Sequence, residues 1–225
     1  MKRALTGLIL GLFVLFFVFL VNDTLFQIIL VGILGYSLLE LFKIKRKRSI
    51  FDWIIFIMIL VNISLIFPIV NSFGRSFFFT ALLISVLTDI FALVFGKLLG
   101  KRFIYPSVSP NKTLEGTLLG LVTPSFLFLL SGYFFIELEI TGSEFFSEFL
   151  VITLFIDSFG YLITFFMILI SSLASVSGDL IASKSKRLMG IKDFGNLLPG
   201  HGGILDRIDS HLICIPVFFI FYSLI

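Results

Sequence analysis

Apolar positions in this chain fall in long unbroken runs, not at a spacing of two or of 3.6. The runs cover residues 4–21, 24–42, 50–70, 77–99, 117–136, 149–182 and 211–225. A helix rises 1.5 Å per residue, so about 18 or more apolar residues suffice to cross a hydrocarbon core of about 30 Å. The pattern predicts an all-α, polytopic integral membrane protein of about seven transmembrane helices, with length for an eighth. The 149–182 run would measure roughly 51 Å as a single helix. Either it is one tilted helix that projects from the membrane, or it breaks between Asp157 and Gly160. Lys2 and Arg3 precede the first run as in a signal peptide, but no small-residue cleavage pattern follows, so a retained helix is expected.

Composition removes the competing classes. Of 225 residues 58% are hydrophobic and 14% charged, with 31 Phe and a mean hydropathy of +1.14. Soluble domains carry about 25% charged residues, so too few polar groups exist here to cover a surface in water. The same numbers exclude disorder. Cys214 is the single cysteine, which excludes an intrachain disulfide. One membrane-embedded domain over 1–225 is expected, without a second soluble domain and without a nucleic-acid partner.

The net charge of +3 says less than its placement. With the N-terminus inside, sixteen of the seventeen Lys and Arg residues fall on the inner side, and only Arg75 falls outside. Cytoplasmic loops carry such an excess. Seven crossings then leave the C-terminus outside, and the basic cluster after Ala182 favours one net crossing for run 149–182. The cluster from Lys43 to Arg48 reads as a topology determinant, with an anionic-lipid site as the sharper alternative.

Chemistry concentrates in two stretches on that inner side. The first runs from Gly178-Asp179-Leu180 through Ser183, Lys186, Arg187, Lys192 and Asp193 to Pro199-Gly200-His201-Gly202-Gly203, Asp206-Arg207 and Asp209-Ser210. A carboxylate at the end of an apolar helix is costly unless paired or metal-bound. On a continuing helix Ser183 lies one turn beyond Asp179 on the same face. Asp206 and Asp209 are three residues apart and share a face of any helix begun near Leu205. Aspartates from two segments suit a hard cation such as Mg²⁺. Glycines let the backbone approach a ligand, and Lys and Arg neutralise phosphate, Arg bidentately. Part of this has plainer explanations: inner-loop cations follow from topology, Pro199-Gly200 is a turn signal, and Asp209 with Ser210 can cap the last helix. The second stretch, Ser109 to Gly116, offers Ser109, Asn111 and Lys112 to a ligand, while Thr113 and Glu115 read as a helix cap and a first-turn acid. Asp89, within a span, is a functional candidate by position, Asp157 a weaker one, and Asp52 is expected to be solvated.

These residues resemble the phosphatidate cytidylyltransferases, or CDP-diacylglycerol synthases. The family's C-terminal hallmark is matched by Ser183, Lys186, Arg187, Lys192, Asp193, Gly195, Leu198, Pro199, His201, Gly202, Gly203, Ile204, Asp206, Arg207, Ile208 and Asp209. Ser185 stands where an apolar residue is usual, and Ala182 where many members have Glu. The 109–116 stretch resembles the family's Ser-Pro-x-Lys-Thr-x-Glu-Gly, with Leu114 in place of a common Trp. Asp89, Ala92, Gly96, Gly100 and Lys101 loosely resemble a further element. The likeness covers residues 85–220, the expected catalytic part; residues 1–80 match in hydrophobicity alone.

The resemblance implies transfer of the cytidylyl group of CTP to phosphatidic acid in phospholipid biosynthesis, giving CDP-diacylglycerol and pyrophosphate. It implies Mg²⁺ held by Asp179 and Asp206, with a monovalent cation as a further option, and catalytic roles for Asp179, Asp206, Lys192 and Arg207. Ser109, Lys112, Ser183, Lys186, Arg187, His201, Gly202 and Gly203 would bind substrate phosphates; Asp89, Asp193 and Asp209 are additional site candidates. It further implies a homodimer in the cell (inner) membrane, with its site facing the cytoplasm and lipid as a partner. The competing readings are a CTP-dependent lipid or polyprenol kinase and, in another class, an anionic-solute transporter.

Overall fold

The structure, a computed structural model, describes residues 17, 20–44, 47–137, 151–198, 200 and 202–224. Its elements are α1 (Asp23–Lys43), α2 (Ile50–Leu99), β1 (Phe103–Tyr105), β2 (Ser109–Thr113), α3 (Leu114–Glu137), α4 (Ile152–Met189), α5 (Leu205–Ile208) and α6 (His211–Tyr222). Four of these helices, α1 to α4, are long and apolar enough to cross a membrane. The expectation of a helical membrane protein holds at that level. The run at 4–21 lies outside the described residues except for Phe17, Leu20 and Val21.

Helix α2 runs over 50 residues only because its two arms share a break at Gly74, where φ is 73° and ψ −175°. Without a Cβ, glycine takes this backbone at little cost. The arms fold back on each other. Asn62 Nδ2 donates to Leu212 O at 2.9 Å, and Cys214 Sγ donates to Ala81 O at 3.6 Å. A straight helix would separate residues 62 and 81 by about 28 Å, yet both touch residues two apart on α6. The expected runs 50–70 and 77–99 are thus two rods of one hairpin.

Helix α4 breaks at Gly160 (φ 77°, ψ 170°), within the interval expected from sequence. Ser175 lies level with Ser210 through Ser85, which bonds the two hydroxyls at 2.7 and 3.1 Å. Phe155 meets Phe218 at 5.3 Å, and Phe218 stands only about 12 Å along α6 from Ser210. A straight α4 would put Phe155 about 30 Å from Ser175, so the chain turns back at Gly160. The long arm after Gly160 is the crossing rod. Helix α6, with 12 residues, is about 18 Å long and by itself short of a full crossing.

The second arm of α2 and α3 pack closely through small residues. A Cβ on Gly116 would lie 2.5 Å from Ala92 O and Gly96 Cα, and one on Gly120 2.7 Å from Ala92 Cβ. Such small-residue seams let membrane helices approach backbone to backbone. The seam brings the ends of α2 and α3 together, and the intervening chain closes as the antiparallel β1–β2 hairpin. This hairpin departs from the all-α expectation. Its helix-start reading holds for Thr113, whose Oγ1 accepts Gly116 N–H at 3.3 Å. It holds for Glu115 too, which lies in the first turn of α3 and also ties the two helix ends, accepting Lys101 N–H at 3.0 Å and Arg102 N–H at 3.2 Å.

Polar groups sort to the two ends. Arg75 Nε pairs with Asp23 at 2.9 Å, and its guanidinium also donates to Val21 O. These groups mark one end. The chain around Ser49, the β-hairpin and residues 183–209 gather at the other.

Candidate functional site

The site lies where the ends of α2, α4 and α6 remote from Arg75 meet the β-hairpin. Asp179 and Ser183 share a face of α4, as their spacing predicts, and Ser183 Oγ donates to Asp179 Oδ1 at 3.4 Å. Lys112, carried in by β2, pairs with Asp179. Two segments separated by more than sixty residues therefore meet at one carboxylate. Asp89, on the second arm of α2, stands near Ser210 and within electrostatic range of Lys112, Asp179 and Arg207. Asp209 completes the group. Its Oδ1 accepts Ser210 N–H at 2.9 Å, and its Oδ2 faces Lys186 Nζ at 3.6 Å. Burial, then the charge of Asp179, holds the Asp209 carboxyl above its ordinary range, against the pull of Lys186.

Asp206 plays a different part. Its Oδ1 accepts from Lys186 Nζ at 2.9 Å, while Oδ2 accepts Phe194 N–H at 2.8 Å and Gly203 N–H at 2.9 Å. Three donors on a buried carboxylate gather residues 193–206 into one loop. Leu198 N–H donates to Gly202 O at 2.8 Å and pinches the loop's tip. Asp179 thus lies within electrostatic range of Asp89 and Asp209, and Asp206 shares Lys186 with Asp209 while also holding the loop. His201, expected to bind phosphate, lies outside the described residues, as does Pro199.

Around this centre stand exposed cations. Lys192, Arg187 and Arg207 face solvent, as does Asp193. Arg187 Nε donates to Val108 O at 3.2 Å, tying α4 to the hairpin's turn. A cleft of about 640 Å³ opens beside Asp89, lined by Gly96, Lys97, Ser109, Asn111 and Lys112. Ser109 and Lys112 are therefore brought to the site, and Gly202 and Gly203 lie in the loop beneath it.

Two further carboxylates are buried near this end, and only Asp52, through its Ser49-x-x-Asp52 capping-box spacing, had a local signal in the sequence. Glu40 of α1, 2% exposed, accepts Ile204 N–H at 3.1 Å and Leu205 N–H at 2.8 Å. Asp52 is not solvated as expected: it is buried, caps α2 with Ser49 and accepts Ser185 Oγ–H at 2.5 Å. That bond explains why a serine stands at 185 where an apolar residue is usual.

The donor set is anionic oxygen throughout. Among the described residues no three acidic, His or Cys groups already converge at metal-binding spacing. The chemistry of Asp89, Asp179 and Asp209, three carboxylates sharing one half-buried region, nevertheless fits a hard divalent cation.

A model of the cytidylyltransferase family matches residues 51–225. The chain belongs to that family. This cytidylyltransferase-family chain is similar to the phosphatidate cytidylyltransferase of Staphylococcus saprophyticus, 38% identical over 147 residues, which is 65% of this chain and 49% of that protein. The proteins of the same name from Staphylococcus haemolyticus and Staphylococcus aureus are 37% and 38% identical over the same length and shares. The family member described here spans about half the length of the curated relatives it matches.

Proposed function

We propose that this chain transfers the cytidylyl group of CTP to phosphatidic acid, giving CDP-diacylglycerol and pyrophosphate in phospholipid biosynthesis. The observation that carries the reading is the meeting of Lys112–Asp179 and Lys186–Asp206/Asp209 at one end of an apolar bundle, in a member of this family. Similar proteins named phosphatidate cytidylyltransferase support the choice of substrates.

In this reading the acyl chains stay in the bilayer and the lipid phosphate enters the cleft beside Asp89, where Ser109 and Lys112 receive it. An oxygen of that phosphate attacks the α-phosphorus of CTP. The bond from that phosphorus to the oxygen bridging toward the β-phosphate breaks, and pyrophosphate leaves with the electron pair. A phosphate nucleophile is largely deprotonated near neutral pH, so no general base is needed. Cys214 is buried against Ala81 O and takes no part. Lys186, Arg187, Lys192 and Arg207, with the amides of Gly202 and Gly203 and with Ser183 and His201, hold the triphosphate against its own repulsion.

Asp179, with Asp89 and Asp209, would hold Mg²⁺, with a monovalent cation as added counter-charge. When bound, Mg²⁺ neutralises phosphate oxygens and aligns the displacement. We assign Asp206 to positioning, since its oxygens already accept from Lys186, Phe194 and Gly203. Asp193 lies at the loop's start, open to solvent. We further propose seven crossings, a homodimer, and a location in the cell membrane with the site on the cytoplasmic face, in keeping with the distribution of Lys and Arg.

The test is an assay of the purified full chain with labelled CTP, phosphatidic acid and Mg²⁺. Labelled CDP-lipid and pyrophosphate are expected. Phospho-lipid plus CDP would instead identify a CTP-dependent lipid kinase, and absence of either product would overturn the reading.

A further inference from the structure

Glu40 belongs to α1, outside residues 51–225 and in the part of the chain that matched the family in hydrophobicity alone. It is nonetheless among the most buried charged residues described. Its two oxygens accept from Ile204 N–H and Leu205 N–H, 164 and 165 residues away, and no Lys or Arg salt-bridges it among the described residues. Burying a carboxylate without a cation is costly unless its lone pairs are filled. Here backbone amides fill them. The loop is also shaped to receive this side chain: a Cβ on Gly195 would lie 2.3 Å from Glu40 Oε1, and one on Gly203 2.5 Å from Oε2. Glycine at both positions leaves room for the carboxylate between the two limbs of the loop.

We propose that Glu40 is a positioning residue, which anchors Gly195 and residues 203–205 from α1 and thereby sets where Gly202, Gly203 and Arg207 meet the nucleotide's phosphates. Asp206 gathers the loop from within, and Glu40 fixes it to the membrane bundle from outside. The kinetic consequence rests on the proposed reaction; the anchoring itself does not.

The experiment compares the full chain with Glu40→Gln in detergent. The glutamine keeps the volume but turns an NH₂ toward one of the two amides. A hydrogen bond to a charged group is strong enough that its loss should speed deuterium exchange in the peptide covering 203–208 by about tenfold or more. Exchange in α3 should hold. The KM for CTP should rise about tenfold, with the KM for phosphatidic acid within about twofold. Gly195→Ala, which presses on Oε1 from the loop side, should give the same pattern and serves if Glu40→Gln does not fold. Unchanged exchange at 203–208, or a uniform rise across the protein, would overturn the anchoring. Faster local exchange with an unaltered KM for CTP would overturn its role toward the nucleotide. If the unsubstituted chain makes no CDP-lipid, the proposed reaction fails while the exchange comparison still decides the anchoring.

Discussion

At one end of the bundle Phe77, Phe155, Phe218 and Tyr222 meet ring against ring, with centroids 5.1–5.6 Å apart. At the other end Asp89, Asp179, Asp206 and Asp209 stand among Lys112 and Lys186. The same three helices supply both ends: α2 contributes Phe77 and Asp89, α4 Phe155 and Asp179, and α6 Phe218 beside the residues that follow Asp209. Aromatic packing is non-directional in charge and holds the rods in place through area and dispersion. The carboxylate end carries like charges in proximity, which is an electrostatic strain that the aromatic end has no counterpart for. One fold thus separates an aromatic end from a charged one, about three helical turns apart along α2.

Substitutions should split along that line. The largest effect is expected for Asp179→Asn, which should lower CDP-lipid turnover by about three orders of magnitude, roughly 4 kcal/mol of barrier, with little change in melting temperature. Asp206→Asn should lower turnover and melting temperature together, because it unties the loop. Near-normal turnover in both variants, across a Mg²⁺ titration, would erase the chemical half of the comparison. Next, Phe218→Ala should cost about 3–4 kcal/mol of stability while folded molecules keep their turnover. A denaturation series with activity normalised to folded protein checks this.

Smaller effects sharpen the picture within the polar end. Arg207→Lys should cost about thirtyfold in kcat/KM, since an ammonium does not reproduce a two-pronged phosphate contact. Lys184→Ala, outside the matched positions, should stay within about threefold; equal losses would remove the distinction between site and topology cations. Ser185→Ala strips one donor from buried Asp52 and should cost about 1–2 kcal/mol in a thermal melt. Asp157→Asn, exposed on the short first arm of α4, should change stability by less than about 0.5 kcal/mol and leave turnover as it was.

The rods were legible in the sequence because a bilayer demands unbroken apolar length, and the break at Gly74 because it sits in a polar gap; the break at Gly160, near Asp157, was one of two alternatives for an over-long run. Ser183 beneath Asp179 followed from helical spacing. The β-hairpin was not legible: Ser-Pro-Asn-Lys-Thr has little strand character, and it pairs only because the small-residue seam brings the ends of α2 and α3 together. The distant partners of Glu40 and Asp52 were missed for a related reason. They are backbone amides and a serine more than 130 residues away, and no local pattern encodes such a meeting. Asp206 was seen by its motif, but its bonds to the Phe194 and Gly203 amides were not.

Closing a loop costs entropy that grows with its length, and this ranks the order of assembly. The seam of Ala92 and Gly96 against Gly116 and Gly120 joins neighbours in the chain and can set as soon as α3 enters the membrane. The contact of Glu40 with Ile204 spans 164 residues and must wait until all of them are made. A nascent molecule therefore has this seam before the loop around Ile204 is anchored, and the anchor forms only when that later-made segment docks on one made 164 residues earlier.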